Sequence, residues 1–177
     1  IKRYFYEWDN RSFLKKEKRY VIDTPAIFMK KICDRLTSTL VNETDIGAVN
    51  TVYIVNSKDN KVDLKFLLAI LNSKLIDYFT KRLYFSTHMR GGYIELRTFE
   101  IENIPIVFKK ELAIQIINLV DRILELNKEL QKVNSQSDRG IKLQEEINKI
   151  DWQIDQKVYE LYGLTKEEVK IIETRKN

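Results

Sequence analysis

At 177 residues, 44% hydrophobic and 32% charged, the chain can bury one large core or two small ones and has the balance of a charge-rich globular protein. Its one cysteine, Cys33, excludes a disulfide framework and fits a reducing cytoplasm. No apolar run approaches the roughly 20 residues that span a bilayer, so no membrane role is expected. Five Gly and two Pro favour long regular elements over loops. The opening Ile1-Lys2-Arg3-Tyr4 holds neither an initiator methionine nor a signal peptide, and reads as part of a longer protein.

The net charge of +5 is unevenly spread. Residues 1–110 hold 20 Lys+Arg against 13 Asp+Glu, a net +7, whereas residues 111–177 hold 11 against 13, a net −2. A polyanion contact is therefore expected in the first part. A solvated basic surface that meets no polyanion has the same composition, so charge alone leaves both readings open.

In chain order, Tyr4-Phe5-Tyr6-Glu7-Trp8 and residues 26–33 read as strands, and Val49-Asn50-Thr51-Val52-Tyr53-Ile54-Val55 has the β-branched and aromatic content of another. Residues 34–40 between them are polar and carry Thr37, Ser38 and Thr39. Asp63 is placed to cap one helix running to about Leu83, with Leu67, Leu68, Leu71, Leu75 and Phe79 on a face. Ser86-Thr87-His88-Met89-Arg90-Gly91-Gly92 is a loop by its glycines, and Tyr93-Ile94-Glu95-Leu96-Arg97 alternates as a half-buried strand does. Pro105 closes a connector over residues 101–107.

The last third changes character. Leu112, Ile116, Leu119, Ile123, Leu126, Leu130 and Val133 form a heptad seam, and Leu143, Ile147, Ile150, Ile154, Val158 and Leu161 form a second. The short polar linker over residues 134–140 predicts that the two helices fold back as an antiparallel coiled-coil pair. Gly163 is placed to end the second helix in the left-handed conformation, and Thr165 with Glu168 forms a capping box that starts a third. Trp152, Tyr159 and Tyr162 read as helix packing.

Several chemistries are missing from these residues. Amino-methyltransferases need a glycine loop after a strand for the methyl donor and an Asn-Pro-Pro-aromatic motif; Pro25 and Pro105 are isolated, and Gly91-Gly92 follows no strand–helix unit. One His and one Cys cannot build a zinc site of the Cys/His kind. Acidic-x-Lys triplets end at Lys61, Lys65, Lys157 and Lys170, roughly what chance placement of 26 acids and 21 lysines produces. No metal site and no catalytic site is expected in the chain itself.

The chain resembles the TaqI-like C-terminal specificity domain, the target-recognition module of certain restriction–modification adenine methyltransferases (type IIG-like). Six segments carry the resemblance in the family's order: Pro25-Ala26-Ile27-Phe28-Met29-Lys30-Lys31-Ile32, Arg35-Leu36-Thr37-Ser38-Thr39-Leu40, Asn50-Thr51-Val52-Tyr53-Ile54, Leu67-Leu68-Ala69-Ile70-Leu71-Asn72-Ser73-Lys74-Leu75, Ile104-Pro105-Ile106, and the stretch from Ile154 to Thr165. Together they cover residues from about 20 to 170. Residues 1–18 match less well, and the loop at 86–92 is of the variable kind, so no base preference carries over.

The resemblance implies an α+β fold: a curved, basic, β-rich recognition unit with a packed helix over residues 1–109, then an antiparallel helical hairpin and a short terminal helix over residues 110–177, packed together as one domain. It implies double-stranded DNA as partner, with an upstream methyltransferase domain in cis, or a subunit in trans, that binds S-adenosylmethionine and flips the target base. No cofactor is expected in this chain. Backbone charge is expected from Lys15, Lys16, Lys18 and Arg19 with Lys30 or Lys31, two neighbours that cannot share a strand face. Base reading is expected from Arg35, Thr37, Ser38, Thr39, Arg90, Tyr93 and Arg97, with His88 beside them. Glu95 and Arg97 fall on one strand face, to read cytosine and guanine or to pair with each other. Asn72 and Ser73 are read as structural. The rival reading is a free-standing specificity or adaptor subunit that binds a methyltransferase chain through its helical hairpin.

Overall fold

In the computed structural model, residues 5–6, 25–42, 51–57, 62–83 and 93–174 are described. The protein is mixed α/β and divides into two compact units, residues 1–72 with 76–106, and residues 73–75 with 107–177.

Unit 1 is built on a four-stranded antiparallel sheet of β1 (Phe5–Tyr6), β5 (Val52–Val55), β2 (Ala26–Lys30) and β4 (Ser38–Val41), in that order. Central β2 explains why its sequence lacks clean alternation, because both of its faces are covered. Ile27 and Met29 pair with Val55 and Tyr53 on one face, all four buried, while Ala26 and Ile54 form a buried pair on the other, with Phe28 and Val52 packed against it. Full burial of a side chain such as Ile27 is worth about 2 kcal/mol. Residues 26–33 are not one strand: the chain breaks at Lys31, and β3 (Ile32–Cys33) pairs instead with β6 (Ile94–Glu95) in a separate two-stranded ribbon. The polar segment after Cys33 also differs from expectation, since Ser38–Val41 is a strand whose Leu40 and Thr39 pair with Ile27 and Phe28. Val49 and Asn50 lie outside the described residues.

Asp63 caps its helix as expected, accepting from Lys65 N–H at 2.7 Å. That helix is two, α1 (Leu64–Asn72) and α2 (Lys74–Leu83), broken at Ser73. Six of the nine α1 residues are buried, so α1 is covered all round rather than along one stripe. It lies against β2 and β4. A further helix, α3 (Thr98–Glu102), occupies part of what reads as connector. Glu100 Oε2 accepts from Arg97 N–H at 2.7 Å, half of a capping box whose other half an arginine side chain cannot supply.

Unit 2 holds α4 (Lys110–Leu130), α5 (Asp138–Tyr162) and α6 (Lys166–Thr174). All six seam residues of α5 are buried. On α4 the buried set is Leu112, Ala113, Ile116, Val120 and Leu126, so the stripe is wider than a heptad seam and Leu119, Ile123 and Leu130 sit at its half-buried margin. Ion pairs join Arg122 to Glu146 at 2.9 Å and Glu129 to Arg139 at 3.8 Å, so partners that rise in number along α4 fall along α5. Helix α5 begins inside the expected linker: Ser137 caps it, its Oγ accepting from Gly140 N–H at 3.1 Å. Gly163 ends it with φ +71°, and the Thr165–Glu168 box opens α6 through bonds of 2.8 and 3.3 Å. Tyr159 is buried, but Trp152 is 54% exposed and is not the packing residue its neighbours suggested. No helix among the described residues is long and apolar enough to cross a membrane.

Candidate functional site

The ribbon of β3 and β6 carries the site-forming groups. Residues 93–97 keep the expected alternation, with Ile94 and Leu96 fully buried while Tyr93 and Arg97 are exposed and Glu95 is half-buried. The strand itself is shorter than expected, Ile94–Glu95 only, and Arg97 is the N-cap of α3; the two inward residues anchor the segment, and the outward three are thereby displayed on one side. Leu96 is held from both directions: its N–H donates to the Lys31 carbonyl at 2.9 Å, and its own carbonyl accepts from the buried Tyr53 hydroxyl at 2.7 Å.

These bonds frame an open cleft of about 470 Å³ lined by Lys31, Tyr53, Glu95, Arg97, Thr98, Phe99 and Glu102. Lys31 Nζ lies 3.8 Å from Glu95 Oε1 and 5.8 Å from the Tyr53 ring centroid. The Arg97 guanidinium rests 6.0 Å from the centroid of Phe99, a ring that is 52% exposed. Glu95 therefore pairs with Lys31 and not with Arg97, although both expected readers line one cleft. Phe99, Thr98 and Glu102 enter the cleft through α3, a helix too short to show in the hydrophobic periodicity of the sequence. The one available signal was Glu100, three positions after Arg97 at capping-box spacing.

The other expected group, residues 35–39, is fixed from behind. Leu36 N–H donates to Asp77 Oδ1 at 3.0 Å, and Arg35 Nη2 donates to the Asn72 carbonyl at 3.3 Å. Ser38 exchanges two backbone bonds with the Asn72 side chain, and its hydroxyl is buried. Thr37 Oγ1 donates to the Arg35 carbonyl at 2.8 Å, while the side chains of Thr37 and Thr39 are exposed. Of the two adjacent lysines, Lys30 is exposed and Lys31 is turned into the cleft. Asn72 and Ser73 are structural, as read from sequence, and Ser73 is buried. Lys15, Lys16, Lys18, Arg19, His88 and Arg90 lie outside the described residues. Cys33, paired with the buried Ile94 on the inward face of the ribbon, is itself buried, and burial, reinforced by Asp77 and Asp34, pushes its thiol up to about 11. Among the described residues no three His, Cys, Asp or Glu side chains converge as a metal site requires.

The family model described as "TaqI-like C-terminal specificity domain" matches residues 1–106. The match ends where unit 1 ends, includes the opening residues that resemble the family less visibly, and leaves the stretch from Ile154 to Thr165 outside it. No curated protein matches the chain. A match over more than half of the chain places it in a family: the protein belongs to the TaqI-like C-terminal specificity domains.

Proposed function

We propose that the chain is the DNA target-recognition domain of a site-specific, restriction–modification-type DNA methyltransferase, and that it selects the sequence acted on by a catalytic domain carried elsewhere. The observation that carries this reading is the family match over residues 1–106, the same stretch that holds the chain's basic excess. A specificity domain has no need of its own chemistry. The methyl donor S-adenosylmethionine belongs to the catalytic partner, an adenine-modifying domain in cis or a subunit in trans, and the working compartment is the cytoplasm. Lys15, Lys16 and Lys30 supply phosphate contacts, which set register, while the loop before β4 and the ribbon of β6 supply base contacts, which set sequence. Unit 1 is in this reading the curved recognition unit, and α4 with α5 a hairpin that holds it to the rest of the enzyme.

Salt titration of a labelled duplex pool tests the proposal. Displacement of counterions makes log K fall linearly with log salt at a slope of roughly −0.9 per phosphate contacted. An affinity indifferent to salt, or no binding at low ionic strength, overturns it.

A second reading is favoured by one observation, that residues 107–177 lie outside the matched stretch and expose Ile114, Ile141, Trp152 and Ile171. In that reading the helices bind a separate methyltransferase chain and the protein is a free-standing specificity or adaptor subunit. Co-elution with a methyltransferase that lacks a recognition domain, abolished by Trp152→Ala, is the result that favours it over the fused arrangement.

A further inference from the structure

We propose that the cleft beside the β3–β6 ribbon reads a G·C base pair in the major groove, with Arg97 donating to guanine and Glu95 accepting from the cytosine amine. The inference rests on the DNA-recognition reading above and assigns the place and chemistry of one base contact.

Charge decides between a base edge and a phosphate. The cleft holds two cations, Lys31 and Arg97, and two carboxylates, Glu95 and Glu102. A phosphate entering it would meet both carboxylates, whereas a base edge carries no net charge and presents acceptors and a donor that this mixture can satisfy. The major-groove edge of a G·C pair offers guanine O6 and N7 to a guanidinium and the cytosine N4 amine to a carboxylate. A two-stranded ribbon is among the elements that groove admits.

The groups are held in a way that suits reading. Among the described residues the Arg97 guanidinium faces no carboxylate at ion-pair distance, and it lies 6.0 Å from the centroid of the Phe99 ring. That ring orients the flat guanidinium and leaves its donors to a ligand. Its backbone is fixed by Glu100, so the side chain projects from a rigid position. Among the described residues Glu95 is committed only to Lys31, at 3.8 Å and with 46% of its side chain exposed, a pair weak enough to yield to a base amine. Opposite Glu95 in the ladder, Ile32 is 40% exposed and gives the ribbon an apolar shoulder of the kind a thymine methyl contacts.

The test is duplex selection from a random library, followed by sequencing, on the wild-type chain and on Arg97→Ala and Glu95→Gln, with a salt titration of each and Lys30→Ala as the phosphate comparator. Arg97 is exposed and the Glu95 side chain is 46% exposed, so neither substitution opens the core, and melting curves matched to wild type establish that each variant folds. The wild type is expected to enrich a motif holding a G·C pair. Arg97→Ala should lower discrimination at that pair roughly 5- to 100-fold while keeping the salt slope. Glu95→Gln should move preference at the same or the adjacent pair towards adenine, the base a glutamine amide fits. Salt-dependent binding with the wild-type motif intact in both variants overturns the cleft and leaves the DNA-binding proposal standing. A flatter salt slope in Arg97→Ala with the motif intact makes Arg97 a phosphate contact and also overturns it. A wild-type chain that enriches no motif sinks the cleft, and one that binds no duplex at low salt sinks the broader proposal with it.

Discussion

Asn72 and Ser38 exchange two hydrogen bonds: Ser38 N–H donates to Asn72 Oδ1 at 2.7 Å, and Asn72 Nδ2 donates to the Ser38 carbonyl at 2.9 Å. One side-chain amide thus satisfies both backbone groups of a residue at the start of β4, as a neighbouring strand would. Asn72→Ala leaves a part-buried donor and acceptor unpaired, at a cost of about 1–3 kcal/mol for each group. We expect urea denaturation to show a loss of about 2–4 kcal/mol with an unchanged m-value. Asn72→Asp should lose a similar amount at neutral pH, because a carboxylate keeps the acceptor but sets its second oxygen against the Ser38 carbonyl.

The break between α1 and α2 has its own partner. Lys74 N–H, which in a continuous helix would bond back along the chain, donates instead to Asp155 Oδ1 at 2.9 Å. The Asp155 side chain is 97% buried, and the Lys74 ammonium lies 3.7 Å from Oδ2 and 2.8 Å from Glu173. Asp155→Ala should cost about 2–4 kcal/mol, combining a lost cap with a lost buried charge partner. Asp155→Asn retains a cap acceptor and should cost less than the alanine variant. Equal losses in thermal melts would show that the cap contributes nothing.

Gly140 reverses an ordinary expectation. Alanine in place of glycine inside a helix normally stabilises by about 1 kcal/mol. Here a Cβ would collide with the Asn134 carbonyl oxygen and lie 2.8 Å from Ser135 Cα, both backbone atoms of the turn before α5. Gly140→Ala is expected to destabilise by about 1–3 kcal/mol in chemical denaturation, since backbone cannot give way as a flexible side chain can. Gly163→Ala meets nothing within 4 Å among the described residues, so its expected loss of about 1 kcal/mol comes from the φ of +71°.

Signals that act within a few residues are legible in the sequence: Asp63 as a cap, Gly163 as a stop, Thr165 with Glu168 as a start, and the seam of α5. Each depends on bonds or spacing inside one element. The break at Ser73 could not be read, because the group that replaces the missing helical bond is Asp155, 81 positions from Lys74. Strand β4 was hidden for the same reason, its hydroxyl residues being ordered by β2 and by Asn72. The candidate site divides similarly. Alternation placed Tyr93, Glu95 and Arg97 on one face, but only folding could bring Lys31 to Glu95 and turn Phe99 under Arg97. The wide stripe of α4 reflects packing geometry that a heptad template compresses.

Alkaline pH should weaken the fold through groups held neutral by burial. The Cys33 thiol ordinarily titrates near 9.0 and is pushed up to about 11 by burial, with Asp77 and Asp34 adding to the shift. Burial likewise pushes the Tyr162 phenol from 10.0 up to about 12, against a smaller opposing hydrogen bond from the Val107 backbone. Between pH 9 and 11 the unfolded chain has released the thiol proton while the folded chain keeps it, so the unfolded state binds fewer protons and stability falls as pH rises. The same holds for Tyr162 between pH 10 and 12. Each group contributes at most about 1.4 kcal/mol per pH unit within its window and nothing below it. Urea midpoints taken from pH 8 upward should be level at first and then decline, and Cys33→Ala should flatten the first part of the decline. A thiol so protonated is also a poor nucleophile, so a disulfide reagent should label native Cys33 slowly at pH 8 and rapidly in denaturant. Rapid native labelling, or an alkaline decline that Cys33→Ala leaves untouched, would place the thiol at the surface instead of on the ribbon's buried face.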